Sequence, residues 1–193
     1  MRITLPSGTS AEIVHVDDPV MGLVIAPDIF GLRPLYDDMV AKFAREWNMS
    51  VVAVEPFPGR NLGPEIEARQ AAVPTLDDAA HRRDLHEAAY ELDCRPIGLM
   101  GFCMGGMYCF KSAGSKQFAR IASFYGMITL PEPWKSPTQQ EPLQYMLNGE
   151  AEKVFAVIGG KDHYTPAADV DQLRSTCTAT APAAWGSSTV RAT

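Results

Sequence analysis

A cysteine lies at the centre of the most distinctive motif in this sequence, Gly101-Phe102-Cys103-Met104-Gly105-Gly106. A nucleophile flanked at two residues' distance by glycines is typical of a sharp turn between a strand and a helix. The glycines remove side chains that would clash in such a turn. The pattern predicts Cys103 as a nucleophile and directs the backbone N–H of Met104 at the oxyanion of an attacked carbonyl. A helix N-terminus also predicts a lowered pKa for this thiol.

Two other loops carry carboxylates directly after predicted strands. In residues 159–166, Asp162 could orient a histidine, although a turn aspartate that caps the next helix is the simpler interpretation. In the segment Pro27-Asp28-Ile29-Phe30-Gly31, the backbone N–H of Ile29 is the expected second oxyanion donor. Asp28 beside it either contacts the thiol or is an ordinary loop carboxylate. The chain order of Cys103 before Asp162 favours the catalytic interpretation, because hydrolases of this type run nucleophile, acid, histidine.

The elements that must position these loops alternate along the chain. Buried or alternating apolar runs predict strands, and apolar residues at helical spacing predict helices. The favoured architecture is a doubly wound, mostly parallel α/β sheet flanked by helices, in which ligands bind at the carboxyl ends of the strands. The predicted strands are residues 3–5, 12–16, 22–26, 51–54, 96–100, 121–125 and 154–158, and the predicted helices are 35–47, 65–72, 76–92, 107–115 and 167–173.

Composition excludes several classes of protein. The chain has 193 residues, 46% of them hydrophobic, and a net charge of -6, so nucleic acid is a poor partner. No apolar run is long enough to cross a bilayer, and residues 1–11 do not form a signal peptide, which predicts a cytoplasmic protein. The four cysteines lack zinc-type spacing, so no metal is expected, and all except Cys103 are expected to be ordinary free thiols.

The three loops together resemble those of the dienelactone hydrolase family, over about residues 24–173. The family pattern is a carboxylate before Ile-Phe-Gly, then Gly-x-Cys-x-Gly-Gly, then Gly-x-x-Asp-x-x-x-Pro. The dipeptide Tyr125-Gly126 after the sixth strand fits as well. The resemblance implies an α/β-hydrolase fold and a cysteine-dependent hydrolase of carboxylic esters or lactones, with a small-molecule substrate and without metal or cofactor.

The resemblance also assigns roles to residues. It implies Cys103 as the nucleophile, Asp162 as the triad acid, and Ile29 and Met104 as the oxyanion hole. The family usually has glutamate where Asp28 stands, and that residue holds the resting thiol. Arg33, Arg60 and Arg69 could bind a substrate carboxylate, although exposed, solvated arginines are the commoner interpretation.

The sequence departs from the family after the acid. The family's histidine, in a His-Gly/Ser-Phe context, has no counterpart, and each of His15, His81, His86 and His163 is a poor candidate for the base. The composition changes after Arg174, so we predict a hydrolase domain over 1–174 and an atypical tail over 175–193, with the last strand and helix missing. The tail is expected to be disordered or the product of a frameshift; a real, shortened and inactive protein is the alternative.

Two other functions stay open at this point. A non-catalytic α/β binding module would explain the missing histidine, although it leaves the cysteine motif unexplained. A glutamine amidotransferase-like enzyme also uses a cysteine in such a turn, but its expected Gln after the second glycine is absent, since Met107 and Tyr108 follow Gly106. Substrate identity, pathway and oligomeric state do not follow from the sequence.

Overall fold

An open sheet of eight strands organises the described part of the chain, which is residues 1–180 and 190–192 of a computed structural model. The spatial order is β1-β2-β4-β3-β5-β6-β7-β8. The pairs β1–β2 and β2–β4 are antiparallel, and the other five pairs are parallel. The strands are β1 (Arg2–Thr4), β2 (Ser10–Val14), β3 (Met21–Ala26), β4 (Met49–Val54), β5 (Ile97–Phe102), β6 (Arg120–Phe124), β7 (Val154–Ile158) and β8 (Val190–Ala192).

Helices connect the parallel strands, as the sequence predicted. They are α1 (Pro34–Trp47), α2 (Ile66–Ala72), α3 (Asp78–Glu91), α4 (Met104–Lys111), α5 (Pro142–Leu147) and α6 (Ala167–Thr180). Short 3₁₀ turns lie at Val73–Thr75, Glu132–Trp134 and Ala151–Lys153. The segment between β6 and β7 therefore contains one short helix and two 3₁₀ turns.

Strand β3 shows why a continuous apolar run forms the middle of this sheet. Successive side chains of a strand point to opposite faces. Leu23 and Ile25 pack with α1 on one face, whereas Val24 and Ala26 belong to the larger cluster that includes residues of α3 and α4 on the other face. All of these β3 side chains are buried, so both faces need apolar residues.

Two helix starts differ from the predicted ones. Helix α3 begins at Asp78 with Asp77 as its N-cap, whose carboxylate accepts the N–H of Ala80 at 2.8 Å. Thr75 lies in the preceding 3₁₀ turn and donates its hydroxyl to the carbonyl of Ala72. Helix α4 starts at Met104 and includes the glycines that were predicted to precede it.

The C-terminal part also differs from expectation. Helix α6 continues to Thr180 and crosses the composition change at Arg174 without a break. The prediction that the last strand is missing is wrong, because β8 pairs in parallel with β7, with Val157 opposite Arg191. The predicted division into 1–174 and 175–193 stays a prediction, and residues 181–189 and 193 of the predicted tail lie outside the described residues.

One face of the sheet carries an apolar groove of about 340 Å³. On this face α1 packs against β3 and β4. Beyond α1, Phe155 of β7 is 38% exposed, and Trp47 at the end of α1 is 42% exposed. Side chains of β3, β5 and β6 complete the lining, chiefly Leu23, Met100 and Ala122. A mid-sheet surface that is normally covered in parallel sheets is thus open in the described part of the chain.

Candidate active site

Cys103 occupies the sharp turn that its motif predicted. It stands between the last residue of β5 and the first residue of α4, with φ 53° and ψ −118°. This left-handed backbone is costly for a residue with a side chain. A Cβ on Gly101 would lie 2.2 Å from the carbonyl oxygen of Gly105, and a Cβ on Gly105 would lie 2.0 Å from that of Ala26. The two glycines therefore allow α4 to start directly against the sheet.

Two backbone amides point at the sulfur of Cys103. The N–H groups of Met104 and Ile29 both hydrogen-bond the thiol, and each lowers its pKa. These are the two residues predicted to form an oxyanion hole, and the structure brings both N–H groups to one sulfur atom. Because Ile29 is contributed by the loop after β3 and Met104 by α4, neither amide would be positioned without the parallel pairing of β3 with β5.

The predicted lowering of the Cys103 pKa is wrong. Burial of the thiol raises its pKa above the ordinary value, and the negative charges of Asp28 and Asp162 raise it further. The hydrogen bonds from Met104 and Ile29 oppose this rise but do not cancel it. The thiol is therefore held mainly in its protonated form at neutral pH, and it needs either a base or an alkaline medium to react.

Asp28 is paired with an arginine. Its two carboxylate oxygens accept from Arg33 at 2.7 and 2.8 Å, a bidentate ion pair, and one oxygen also accepts the N–H of Phe30 at 2.9 Å. Arg33 stacks on the rings of Phe30 and Tyr36, at 5.5 and 5.1 Å from their centroids. Asp28 therefore acts on Cys103 through its charge, and the role of thiol contact that the resemblance assigned stays a prediction.

The loop that carries Ile29 is fixed from three sides. The hydroxyl of Tyr36 accepts the N–H of Asp28 at 2.8 Å, and Arg69 donates to the carbonyl of Ile29 at 3.1 Å. Glu55, at the end of β4, accepts the N–H of Leu32 at 2.9 Å. The N–H of Ile29 is thus held in a fixed direction, which is the condition that a predicted oxyanion donor has to meet.

The arginines suggested as carboxylate ligands bind groups of the chain itself. Arg33 is held by Asp28, and Arg60 donates to the Thr75 hydroxyl. Arg69 donates to the carbonyls of Ile29 and Gly63.

Asp162 lies on the loop after β7, at the same edge of the sheet as Cys103. Its charge acts on the thiol, and its Oδ1 accepts the N–H of Tyr164 at 2.9 Å. The side chain is half-buried. The role of triad acid stays a prediction.

The four histidines contact other parts of the molecule. None of them is among the described groups that act on the Cys103 thiol. His15 is exposed after β2, and the rings of the other three face Tyr108 (His81, 3.8 Å), Phe118 (His86, 5.6 Å) and Tyr164 (His163, 4.2 Å). Within residues 1–180 and 190–192, no group of three His, Cys, Asp or Glu side chains could hold a metal ion, and no helix there is long and apolar enough to span a membrane.

The model of the dienelactone hydrolase family matches residues 10–184. The chain belongs to this family. Among curated relatives, it is 29% identical to carboxymethylenebutenolidase 2 of Cupriavidus pinatubonensis, over 53% of this chain and 44% of the relative. It is 27% identical to carboxymethylenebutenolidase of Rhodococcus opacus, over 78% of this chain and 60% of the relative. The chain therefore spans about half the length of these two relatives.

Solved structures agree on the fold. A protein of Klebsiella pneumoniae assigned as a dienelactone hydrolase superposes with a TM-score of 0.79 at 20% identity, over 93% of this chain and 80% of that one. The Pyrococcus furiosus esterase PF2001 superposes with a TM-score of 0.61 at 18% identity, over 92% and 76%. The fold of this family member is thus that of the α/β hydrolases.

Proposed function

We propose that this chain reacts with carboxylic esters or lactones through Cys103 and forms an acyl-enzyme intermediate. The observation that carries the proposal is the pair of backbone N–H groups, from Ile29 and Met104, that converge on the Cys103 sulfur. Donors in this arrangement stabilise the oxygen of a carbonyl whose carbon is attacked by that sulfur. Because these relatives are carboxymethylenebutenolidases by name, a butenolide lactone is the first natural substrate class to test.

In the proposed reaction, the Cys103 thiolate attacks the carbonyl carbon and the oxyanion is held by the two amides. The ester C–O bond then breaks and leaves a thioester. Water must release the acyl group, and a histidine oriented by Asp162 would normally activate that water. Since no histidine acts on Cys103 among the described groups, we expect a chain that acylates and then releases the acid slowly. General-base help is typically worth about 10²–10⁴-fold, which sets the expected deficit.

The acylation step is expected to accelerate as the pH rises. Burial raises the pKa of Cys103, so the reactive thiolate is a small fraction at neutral pH and increases towards alkaline pH. A rate that falls or stays constant as the pH is raised from 7 to 9 would contradict this assignment of the nucleophile.

The deciding experiment is stopped-flow hydrolysis of p-nitrophenyl acetate by the chain, by Cys103→Ala, and by Cys94→Ala as a matched control. Cys94 is the other half-buried thiol, so its removal should leave the signal unchanged. We expect a burst of p-nitrophenol that Cys103→Ala abolishes, followed by little turnover.

The other outcomes have definite meanings. Sustained turnover that depends on Cys103 would show that a base acts on the acyl-enzyme, and His163 would be the first residue to replace. A burst that survives in Cys103→Ala, or no burst at all, would refute the proposal and favour a non-catalytic binding module.

A further inference from the structure

Tyr125 follows β6 in a backbone conformation that tyrosine rarely adopts. Its φ is 41°, in the left-handed region, where a side chain is costly. The residue of this turn that has no room for a side chain is the next one, because a Cβ on Gly126 would lie 2.3 Å from the carbonyl carbon of Gly106. If position 125 served only to form a turn, glycine or asparagine would adopt this backbone conformation at a lower free-energy cost. Strain of this kind in a bulky residue is a reason to look for a function.

Hydrogen bonds of the sheet hold this conformation beside Cys103. The N–H of Cys103 donates to the carbonyl of Phe124 at 3.1 Å, and the N–H of Tyr125 donates to the carbonyl of Val157 at 2.8 Å. The two left-handed residues thus lie at the carboxyl ends of adjacent strands, β5 and β6. The Tyr125 ring packs against that of Phe102, with centroids 6.1 Å apart. The phenol is therefore placed over the same strand ends as the thiol.

The Tyr125 hydroxyl is available to a substrate. Tyr125 is 46% exposed, and none of the main influences on its phenol within the described residues is a hydrogen bond. The charge of Asp28 acts on the phenol, and so does the charge of Cys103 once its thiol is ionised. Partial burial and these charges raise its pKa, so the hydroxyl carries its proton at neutral pH. The neighbouring Tyr36 differs, because its hydroxyl is already used by the N–H of Asp28.

We propose that Tyr125 is a catalytic residue that donates its phenolic proton to the oxygen of the leaving group. This inference rests on the proposed acylation of Cys103. When the tetrahedral intermediate collapses, the C=O bond re-forms and the ester C–O bond breaks, with its electron pair on the leaving oxygen. That alkoxide takes the proton of Tyr125, and solvent returns a proton to the exposed phenolate. The thiol proton was released to solvent before attack, so protons balance over the step.

The test uses two substrates that share an acetyl group and differ in the leaving oxygen. Trifluoroethyl acetate releases a basic alkoxide that needs a proton, whereas p-nitrophenyl acetate releases an anion that is stable without one. The acetylation rate of Cys103 is followed by intact-mass spectrometry for wild type and Tyr125→Phe. We expect a loss of about 10²-fold with trifluoroethyl acetate, the lower end of general-acid contributions, and almost none with p-nitrophenyl acetate.

Two variants make the test independent of folding. Tyr125→Asn removes the phenol but keeps a residue that tolerates left-handed backbone, and it should show the same selective loss. Tyr90→Phe, on an exposed tyrosine of α3, should match wild type with both esters.

Three results would overturn the proposal. Equal losses with both substrates would reduce Tyr125 to a structural role, and no loss with either would exclude it from the reaction. If wild type shows no acetylation that depends on Cys103, both this inference and the proposed function fail. In the first two cases only the inference about Tyr125 fails.

Discussion

Acidification should destabilise this protein through one buried histidine. His81 of α3 is 5% exposed, and its ring stacks on Tyr108 of α4 at 3.8 Å. Burial lowers the pKa of His81 to about 3, and the positive charge of Lys111 contributes to the same shift. In the unfolded chain, a histidine has its ordinary pKa of about 6.5. The unfolded state therefore binds a proton below about pH 6.5 that the folded state does not take up.

The size of the effect follows from these two values. Stability from neutral His81 is fully present above pH 6.5 and is lost progressively as the pH falls towards 3. A pH of 5 is about 1.5 units below the pKa of histidine in the unfolded chain. Each unit is worth about 1.4 kcal/mol, so protonation of His81 in the unfolded state lowers the free energy of unfolding by about 2 kcal/mol. That is a large part of the roughly 5–15 kcal/mol by which a domain is stable.

Urea unfolding at pH 7.5 and pH 5 measures this loss. His81→Phe keeps a ring against Tyr108 and removes the titrating group, so the free energy of unfolding should depend less on pH, by about 2 kcal/mol between these values. With a typical urea slope of about 2 kcal/mol/M, the difference corresponds to a midpoint shift of about 1 M.

A second variant separates titration from packing. Leu85→Ala, at a fully buried position of the same helix, should lower stability by a similar amount at both pH values, because it removes no titratable group. Burial also lowers the pKa of His86, so part of the pH dependence should remain in His81→Phe. If the pH dependence of His81→Phe equals that of wild type within about 0.5 kcal/mol, the argument from burial is refuted.

Three further predictions concern charge and packing. Lys111→Met should cost about 3–5 kcal/mol in urea unfolding, because it leaves the buried Asp78 carboxylate without the ammonium that now lies 2.7 Å away. Gly105→Ala should abolish soluble expression or cut the free energy of unfolding severely, because its Cβ would lie 2.0 Å from a backbone oxygen. Arg33→Leu should raise the pKa of Cys103, since the carboxylate that Arg33 neutralises then acts on the thiol unopposed, and alkylation by iodoacetamide at pH 7 should slow.

Two of these predictions have a control variant, and the third is decided by the size of its own effect. Gly114→Ala meets no atom closer than 3.8 Å, so it should fold normally. Arg33→Lys keeps the positive charge and should recover part of the alkylation rate. If Lys111→Met lowers the free energy of unfolding by less than about 1 kcal/mol, the cost of burying the two charges nearly cancels the attraction between Lys111 and Asp78. Faster alkylation of Arg33→Leu would contradict the conclusion that the charge of Asp28 raises the pKa of Cys103.

Local sequence pattern and strand order were enough to predict which loops lie at one edge of the sheet. Buried apolar runs placed Asp28, Cys103 and Asp162 after parallel strands, and parallel strands bring their carboxyl ends to one edge. The glycines of the motif predicted the left-handed turn at Cys103, because no other residue type would leave room for α4. What the pattern could not give was the net pKa of the thiol, which depends on burial by segments far away in sequence.

Long-range pairs account for most of what was missed. The ion pair of Lys111 with Asp78 joins α4 to α3 across 33 residues, and its lysine is completely buried. Nothing in the apolar spacing of α4 distinguishes this lysine from a solvated one. Nothing in the sequence around His81 indicates that it is enclosed, and only the packing of α3 on α4 shows it. The strain at Tyr125 is a backbone property that the dipeptide with Gly126 only hints at.

The open groove on the sheet has a consequence for how this protein can change. In a covered parallel sheet, a central-strand phenylalanine is constrained by a helix above it, and a polar replacement there is severely destabilising. Phe155 is 38% exposed in the described part of the chain, so a polar replacement there should cost less than at a covered position. This freedom is local, because Leu23, Leu99 and Ile121 of neighbouring strands are each at most 5% exposed. Sequence drift should therefore be faster at Phe155 than at these three positions.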